Sequence, residues 1–143
     1  MQFDHKSSAG YLVNHLARLF FDELRQNIKH LGIVPGQFPA LLALWVKDGQ
    51  TQRELVEKLD IEQATMANTL NRMERDGLIL RKEHPTDGRA QIINLTDKAL
   101  AIRDDAYAAA NSVNERALAD LSLEEREEFI DLMQRTIRTI QKL

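Results

Sequence analysis

Residues Thr51–Thr96 read TQRELVEKLDIEQATMANTLNRMERDGLILRKEHPTDGRAQIINLT, and the rest of the chain is arranged around them. The stretch opens with Thr51-Gln52-Arg53-Glu54, a capping box. The Thr51 hydroxyl accepts from the Glu54 N–H, and the Glu54 carboxylate accepts from the Thr51 N–H. A short helix then runs through Val56 to Leu59, Asp60-Ile61 makes a turn, and a second helix spans about Glu62–Asp76. In that helix Met66, Leu70 and Met73 fall at i, i+4 and i+7, so they share one inward face. Gly77 stands where a left-handed residue ends a helix, and Leu78 folds back to close it. Two apolar-rich strands follow, about Leu78–Glu83 and Ala90–Leu95. Along the second, Gln91, Ile93 and Leu95 share one face and Ile92 and Asn94 the other. Between the strands lies Pro85-Thr86-Asp87-Gly88-Arg89, where the Asp-Gly pair predicts a hairpin tip with Gly88 at positive φ. Helix, turn, helix, then a hairpin with an arginine at its tip is the order of a winged helix-turn-helix, a DNA-reading module.

The second helix carries the candidate reading surface. Rotation of about 100° per residue puts Ala64, Asn68, Arg72 and Arg75 opposite the apolar face, with Thr65, Thr69 and Asn71 beside them. Solvated helices are usually covered by long charged side chains, whereas these turns carry Gln63, Ala64, Thr65, Asn68, Thr69 and Asn71. Amide side chains match adenine edges, and Ala and the Thr methyl suit the thymine methyl group. A polar helix facing only water is the competing reading, and the adjacent hairpin favours DNA. Asp87, two residues before Arg89, is expected to hold its guanidinium, and a positioned arginine at a loop tip suits a narrow, negative minor groove. An ordinary surface ion pair there would be worth only about 0–1 kcal/mol. The candidate DNA-binding set is therefore Gln63, Ala64, Thr65, Asn68, Thr69, Arg72, Arg75, Asp87 and Arg89.

At these residues the chain resembles the MarR family of bacterial transcription regulators. The resemblance lies in Leu55…Leu59-Asp60-Ile61-Glu62-Gln63, in Thr69-Leu70-Asn71-Arg72-Met73-Glu74-Arg75-Asp76-Gly77-Leu78-Ile79…Arg81, and in Pro85-Thr86-Asp87-Gly88-Arg89…Asn94-Leu95-Thr96. Ile61-Glu62-Gln63 and Leu95-Thr96-Asp97-Lys98-Ala99 are most similar to the SlyA-like members. Many relatives have Gly in place of Ala99, a second arginine in place of Gly88, and several an arginine in place of Asn68. The wing here is thus left with Arg89 alone, and the target sequence does not carry over. The resemblance implies a homodimer built from the terminal helices and a pseudo-palindromic double-stranded DNA operator. It also implies repression relieved by a small aromatic or anionic effector, bound between the dimer helices and the DNA-binding lobe.

The flanking sequence fits a mainly α protein, with helical dimerisation segments at 1–34 and 97–143 around a winged helix-turn-helix at 35–96. Lys6–Leu31 reads as a long helix with an apolar stripe from Leu12 to Ile28. About Gln37–Lys47 reads as a second helix, apolar all round from Ala40 to Val46, with Pro39 in its first turn and Trp45 in the core. Thr96 caps a helix expected to run unbroken from Asp97 to about Ala119. Ser122-Leu123-Glu124-Glu125 is another capping box, opening a terminal helix whose Phe129, Ile130, Met133, Ile137 and Ile140 form a stripe. The terminal helices hold more apolar face than one small lobe buries, which a C2 dimer resolves.

The overall charge is −3, and Lys47–Gln91 holds eight Lys/Arg against nine Asp/Glu. A DNA-reading unit that is not basic in bulk has to sort its charges in space. Arg53, Arg72, Arg75, Arg81, Lys82 and Arg89 are the cations available for phosphate contact, with Lys82 the best candidate for plain solvation. A near-neutral unit also keeps open a winged-helix module that binds protein instead of DNA. The absence of cysteine excludes disulfides, a thiolate nucleophile, thiolate-ligated zinc and cysteine-based peroxide sensing. The four histidines show no metal-binding spacing, so no catalytic residue, cofactor or metal is expected. The longest apolar run, Ala40–Val46, is too short to span a bilayer, and no signal peptide is evident, so a cytoplasmic protein is expected.

Overall fold

A computed structural model describes all residues, 1–143. Seven helices and three short strands follow in the order α1 (Ala9–Ile28), α2 (Phe38–Val46), β1 (Gln50–Thr51), α3 (Gln52–Leu59), α4 (Gln63–Arg75), β2 (Ile79–Glu83), β3 (Gln91–Leu95), α5 (Asp97–Ala101), α6 (Arg103–Ala117) and α7 (Leu123–Gln141). The helix-turn-helix is α3 and α4, and the wing is the β2–β3 hairpin. Helix α1 contains the whole apolar stripe from Leu12 to Ile28 but is shorter than the expected Lys6–Leu31, because 3-10 turns at His5–Ser7 and Lys29–Leu31 occupy its ends.

Local chemistry accounts for the boundaries around the site. Thr51 Oγ1 accepts from the Glu54 N–H at 3.2 Å and Glu54 Oε1 accepts from the Thr51 N–H at 3.3 Å, so the capping box forms as its residues dictate. Asp60 takes φ 53° in the turn between α3 and α4. Gly77, at φ 74°, ends α4, and the Leu78 N–H returns to the Met73 carbonyl at 2.9 Å. That is the backbone closure expected of a left-handed glycine, and it starts β2 with Leu78 fully buried.

The hairpin pairs antiparallel from Ile79↔Leu95 to Glu83↔Gln91. The sheet has a third strand, β1, which pairs with β3 at Gln50↔Ile93 and Thr51↔Ile92. It is too short to show periodicity, so only its partners reveal it. Gly49 supplies the left-handed backbone, φ 74°, that turns the chain into β1, a conformation that strains any other residue even though a Cβ there would make only ordinary contact, 3.5 Å from Asn94 Nδ2. Asp48 Oδ1 then accepts from the Leu95 N–H at 2.9 Å, and buried Gln50 donates through Nε2 to the Ala43 and Lys47 carbonyls. The Asp48 bond fastens the loop before α3 to the root of the wing, and the Gln50 bonds fasten it to the end of α2.

A single cluster of 18 buried apolar residues forms the core, drawing on α2, α3, α4, the sheet and the neighbouring ends of α1, α5 and α6. Met66, Leu70 and Met73 are buried as their spacing requires. Each contributes about 1.5–3 kcal/mol through burial. Helix α2 is central but not buried all round, since Leu42 is partly exposed and Val46 is 78% exposed. Trp45 lies in the core, edge-on to Phe38 and Tyr107, and donates from Nε1 to the Ala99 carbonyl at 3.0 Å.

That last bond falls where the chain departs from the single helix expected over Asp97–Ala119. Ile102, at φ −94° and ψ −3°, separates α5 from α6. An indole reaching into a helical carbonyl ladder is a sufficient cause of such a break. It lets Ala99 seal the wing end of the core while α6 runs along α1, where Ala106 and Val113 are buried and Arg116 pairs with Glu23 at 3.2 Å. The capping box of Ser122 and Glu125 starts α7 as expected, but no residue of α7 is buried. No helix is long and apolar enough to cross a membrane.

Candidate nucleic-acid interface

With Met66, Leu70 and Met73 anchored in the core, α4 turns its opposite side to solvent. Gln63, Ala64, Thr65, Asn68, Arg72 and Arg75 are exposed there, whereas Thr69 is half-buried at the flank. At the wing tip Asp87 and Arg89 are exposed. The N-terminus of α4 and the wing tip face one another across a polar cleft of about 610 Å³, lined by Gln63, Asp87, Gly88 and Arg89 together with Arg53 and Arg81. Gln63, Asp87 and Arg89 therefore share one cleft, while Ala64, Thr65, Asn68, Arg72 and Arg75 lie on the open face beyond it.

The wing tip is built differently from its sequence expectation. Gly88 is not at positive φ, and Asp87 does not hold the Arg89 guanidinium. Its Oδ1 accepts instead from the Arg89 backbone N–H at 3.1 Å, and its carbonyl accepts from the Ala90 N–H. An aspartate bonding to the backbone two residues on is the usual Asx turn, and it bends the chain without a left-handed glycine. His84 completes the tip, with Nδ1 accepting from the Thr86 and Asp87 N–H groups at 3.2 and 3.1 Å. This imidazole was not foreseen, because His-Pro-Thr-Asp carries no established turn signal. The guanidinium of Arg89 is consequently free in solvent.

Sorting of the cations resolves the near-neutral charge of this unit. Arg81 is 18% exposed and ion-paired to Glu74 at 3.2 Å, so it is not open to phosphate as the sequence suggested. Arg53 pairs with Glu57 and Arg75 with Asp76, but both remain largely exposed, and such pairs are weak enough for a phosphate to replace. Arg72, Lys82 and Arg89 form no ion pair. Three acids are thereby neutralised beside or beneath the surface, and the unpaired cations point outward.

Two carboxylates behind α4 are shifted by their partners. Hydrogen bonds from Arg81 hold Glu74 below the usual carboxylate range, and bonds from Arg75 and then Gln37 do the same for Asp76. Gln37 is a buried polar residue in the 3-10 turn before α2. It donates from Nε2 to Asp76 Oδ2 at 2.9 Å and accepts at Oε1 from the Val34 N–H at 3.2 Å. Lys98 of α5 donates from Nζ to the Asp76 carbonyl at 2.7 Å. The C-terminal end of α4 is thus tied both to the α1–α2 connection and to the first turn of the helices that follow the wing.

Nowhere do three or more His, Asp or Glu side chains converge as a metal site would require. The chemistry on offer is a protruding helix with amide and methyl groups beside a hairpin with a free arginine. That combination suits base edges and phosphates in adjacent grooves of a duplex.

Known proteins share both the sequence and the shape. The MarR family model matches residues 33–90, which cover the region from the end of the α1–α2 connection to the wing. The transcriptional regulator HosA of Escherichia coli O157:H7 is 34% identical over 103 residues, covering 72% of this chain and 76% of HosA. Among solved structures, the PcaV transcriptional regulator of Streptomyces coelicolor in complex with its natural ligand superposes with a TM-score of 0.83 at 25% identity, covering 96% of this chain and 97% of PcaV. Reduced AbfR bound to DNA superposes with a TM-score of 0.79 at 26% identity, covering 92% of this chain and 89% of AbfR. On sequence, fold and the chemistry of its exposed helix, this chain belongs to the MarR family of transcriptional regulators.

Proposed function

We propose that this regulator acts as a homodimeric, sequence-specific repressor whose hold on DNA is relieved by a small molecule. The observation that carries the reading is the outer face of α4, exposed and carrying small and amide side chains with Arg72 and Arg75 at its C-terminal end, beside Arg89, which forms no ion pair. Ala64, Thr65, Asn68, Thr69 and Arg72 enter the major groove, Gln63 and Arg75 flank them, and Arg89, set by Asp87, reaches the adjacent minor groove. AbfR, a structural neighbour, has been solved bound to DNA.

Dimerisation is argued from what one copy leaves uncovered. Helix α7 exposes Ile130, Met133, Ile137 and Ile140, and α1 exposes Leu12, Val13, Leu16 and Leu19. Between them runs an apolar groove of about 600 Å³, lined by residues such as Leu16, Phe20, Leu118 and Phe129. A monomer seldom leaves so much contiguous apolar surface in water, and a second copy covers it with the same surface under C2 symmetry. Residues 1–34 and 97–143 then form the dimerisation region and 35–96 the DNA-binding region. The two α4 helices face successive major grooves of a pseudo-palindromic operator, with half-sites about 34 Å apart. A cytoplasmic location follows from that partner.

The effector reading rests on a second chamber of about 330 Å³ between α1, α2 and α6. Phe20, Leu24, Phe38, Pro39 and Val113 line it, and Asn114 supplies an amide. Such walls take an aromatic molecule, whereas Arg25 stacks 4.9 Å over the Phe21 ring outside the chamber and is paired to Asp22 at 3.0 Å. PcaV, a neighbour of the same fold, has been solved with its natural ligand. An occupied chamber weakens DNA binding only if the ligand prefers the spacing of α4 helices that does not fit the operator. The reading is tested by equilibrium sedimentation of the protein with duplexes bearing one or two half-sites of a selected operator. One dimer on the two-site duplex supports it; a monomer bound equally well to either duplex would contradict it.

A further inference from the structure

Arg81 is the one arginine of this region turned into the protein. It leaves β2 toward α4, where Nε and Nη2 donate to the two Glu74 carboxylate oxygens at 3.3 and 3.2 Å. Nη2 also donates to Asn71 Oδ1 at 2.7 Å. Charge-assisted fork-to-carboxylate pairing has a defined geometry, and partial burial protects it from solvent competition. The guanidinium is therefore a fixed object against which the Asn71 amide has to choose its orientation.

That choice is forced by chemistry. A guanidinium has only donors, so the amide atom facing it has to be the oxygen. A flipped Asn71 would set NH2 against N–H and lose the shortest bond in the cluster. Asn71 is exposed and stands between the cleft and the outer face of α4, so fixing its oxygen inward turns its NH2 outward. Asn68, one turn earlier, makes no hydrogen bond within the protein and takes either orientation. The two asparagines are chemically different readers despite sharing a residue type.

We propose that Asn71 is a further DNA-contacting residue that serves as a hydrogen-bond donor to an acceptor oxygen or nitrogen of the duplex, and that Arg81 is the positioning residue that holds it so. This rests on the reading that α4 faces DNA. The acceptor belongs either to a phosphate or to a base edge such as guanine O6/N7, adenine N7 or thymine O4, whereas bidentate adenine recognition, which also needs an amide oxygen, falls to Asn68.

The test uses the full-length protein and a duplex selected by the wild type from a random library. Asn71→Asp keeps an oxygen for Arg81, so the fold is preserved, but it offers DNA an anion where a donor stood. It lowers affinity by about tenfold or more, and Asn71→Ala lowers it by about three- to tenfold, both with unchanged urea midpoints. Arg81→Lys, which retains the charge beside Glu74 but not the fork, gives a smaller loss and relaxes base preference if Asn71 reads a base. A loss equal across all duplexes assigns the acceptor to phosphate, and a loss confined to one position assigns it to a base. If Asn71→Asp and Asn71→Ala both bind within twofold of wild type while Asn68→Ala and Arg89→Ala bind weakly, α4 and the wing still meet DNA and Asn71 is no contact. If the wild type selects no duplex, the proposal and the reading beneath it both fall.

Discussion

Gly88→Arg is a gain-of-binding experiment that the geometry of the wing makes clean. A Cβ built on Gly88 meets nothing within 4 Å, and the residue is not at positive φ, so any side chain fits without strain. Folding stability should move by less than about 0.5 kcal/mol, or rise slightly because the unfolded chain loses glycine's freedom. The new guanidinium stands beside that of Arg89, on the hairpin proposed to enter the minor groove. One further phosphate contact steepens the dependence of log K on log salt by about 0.9. Over a fourfold change in salt, from about 50 to 200 mM, that slope amounts to a factor of about 3.5. The variant should therefore bind a selected operator about three- to tenfold more tightly at low salt, with most of the advantage gone at high salt. Fluorescence anisotropy across a salt series reads both quantities, and Gly88→Glu should shift them the opposite way. Unchanged affinity and slope in both variants, with unchanged urea midpoints, would mean that the wing tip lies away from DNA.

Four other outcomes follow from the same coordinates. Arg89→Ala removes a guanidinium that forms no ion pair, so binding should weaken about tenfold without loss of stability. Arg53→Ala, whose guanidinium is already paired to Glu57, should cost less in the same anisotropy assay. Ile130→Asp with Met133→Asp places charge on the uncovered face of α7, and sedimentation should then give a monomer that no longer binds a two-site operator tightly. Glu74, Asp76 and Glu125 are all held below their ordinary carboxylate values, Glu125 chiefly by the Ser122 N–H. Because their folded values lie below the unfolded ones, the stability they add is full above about pH 4.5 and disappears as pH falls through the folded values. Urea midpoints should accordingly fall below pH 4.5, and Glu74→Gln should make that fall shallower; an identical acid profile would remove Glu74 from the account.

How far the sequence carried depends on the range of the interactions involved. Features set by residues within one turn of each other were readable: the capping boxes at Thr51 and Ser122, the Gly77 terminator, and the apolar face of Met66, Leu70 and Met73. Features set by partners distant in sequence were not. Strand β1 exists because β3 lies beside it, and the break at Ile102 coincides with an indole from α2. Arg81 looked like a phosphate ligand because only the fold brings Glu74 and Asn71 to its guanidinium. At the wing tip the Asp-Gly pair signalled a turn correctly, but His84 and the Asp87 carboxylate shape it through backbone N–H groups. The bulk charge of Lys47–Gln91 was the most misleading quantity, since pairing of Arg53, Arg75 and Arg81 with acids is invisible to a count.

The central claim, that α4 and the wing read a DNA sequence, is tested most directly by fluorescence anisotropy at two salt concentrations. The probe is the DNA upstream of the protein's own gene, with a scrambled duplex of the same composition as control. Tight binding to the upstream duplex alone, at one dimer per site and weakening steeply with salt, is the result expected if the regulator controls its own gene. Equal and weak binding to both duplexes, persisting with duplexes selected from a random library, would contradict sequence-specific recognition by this surface.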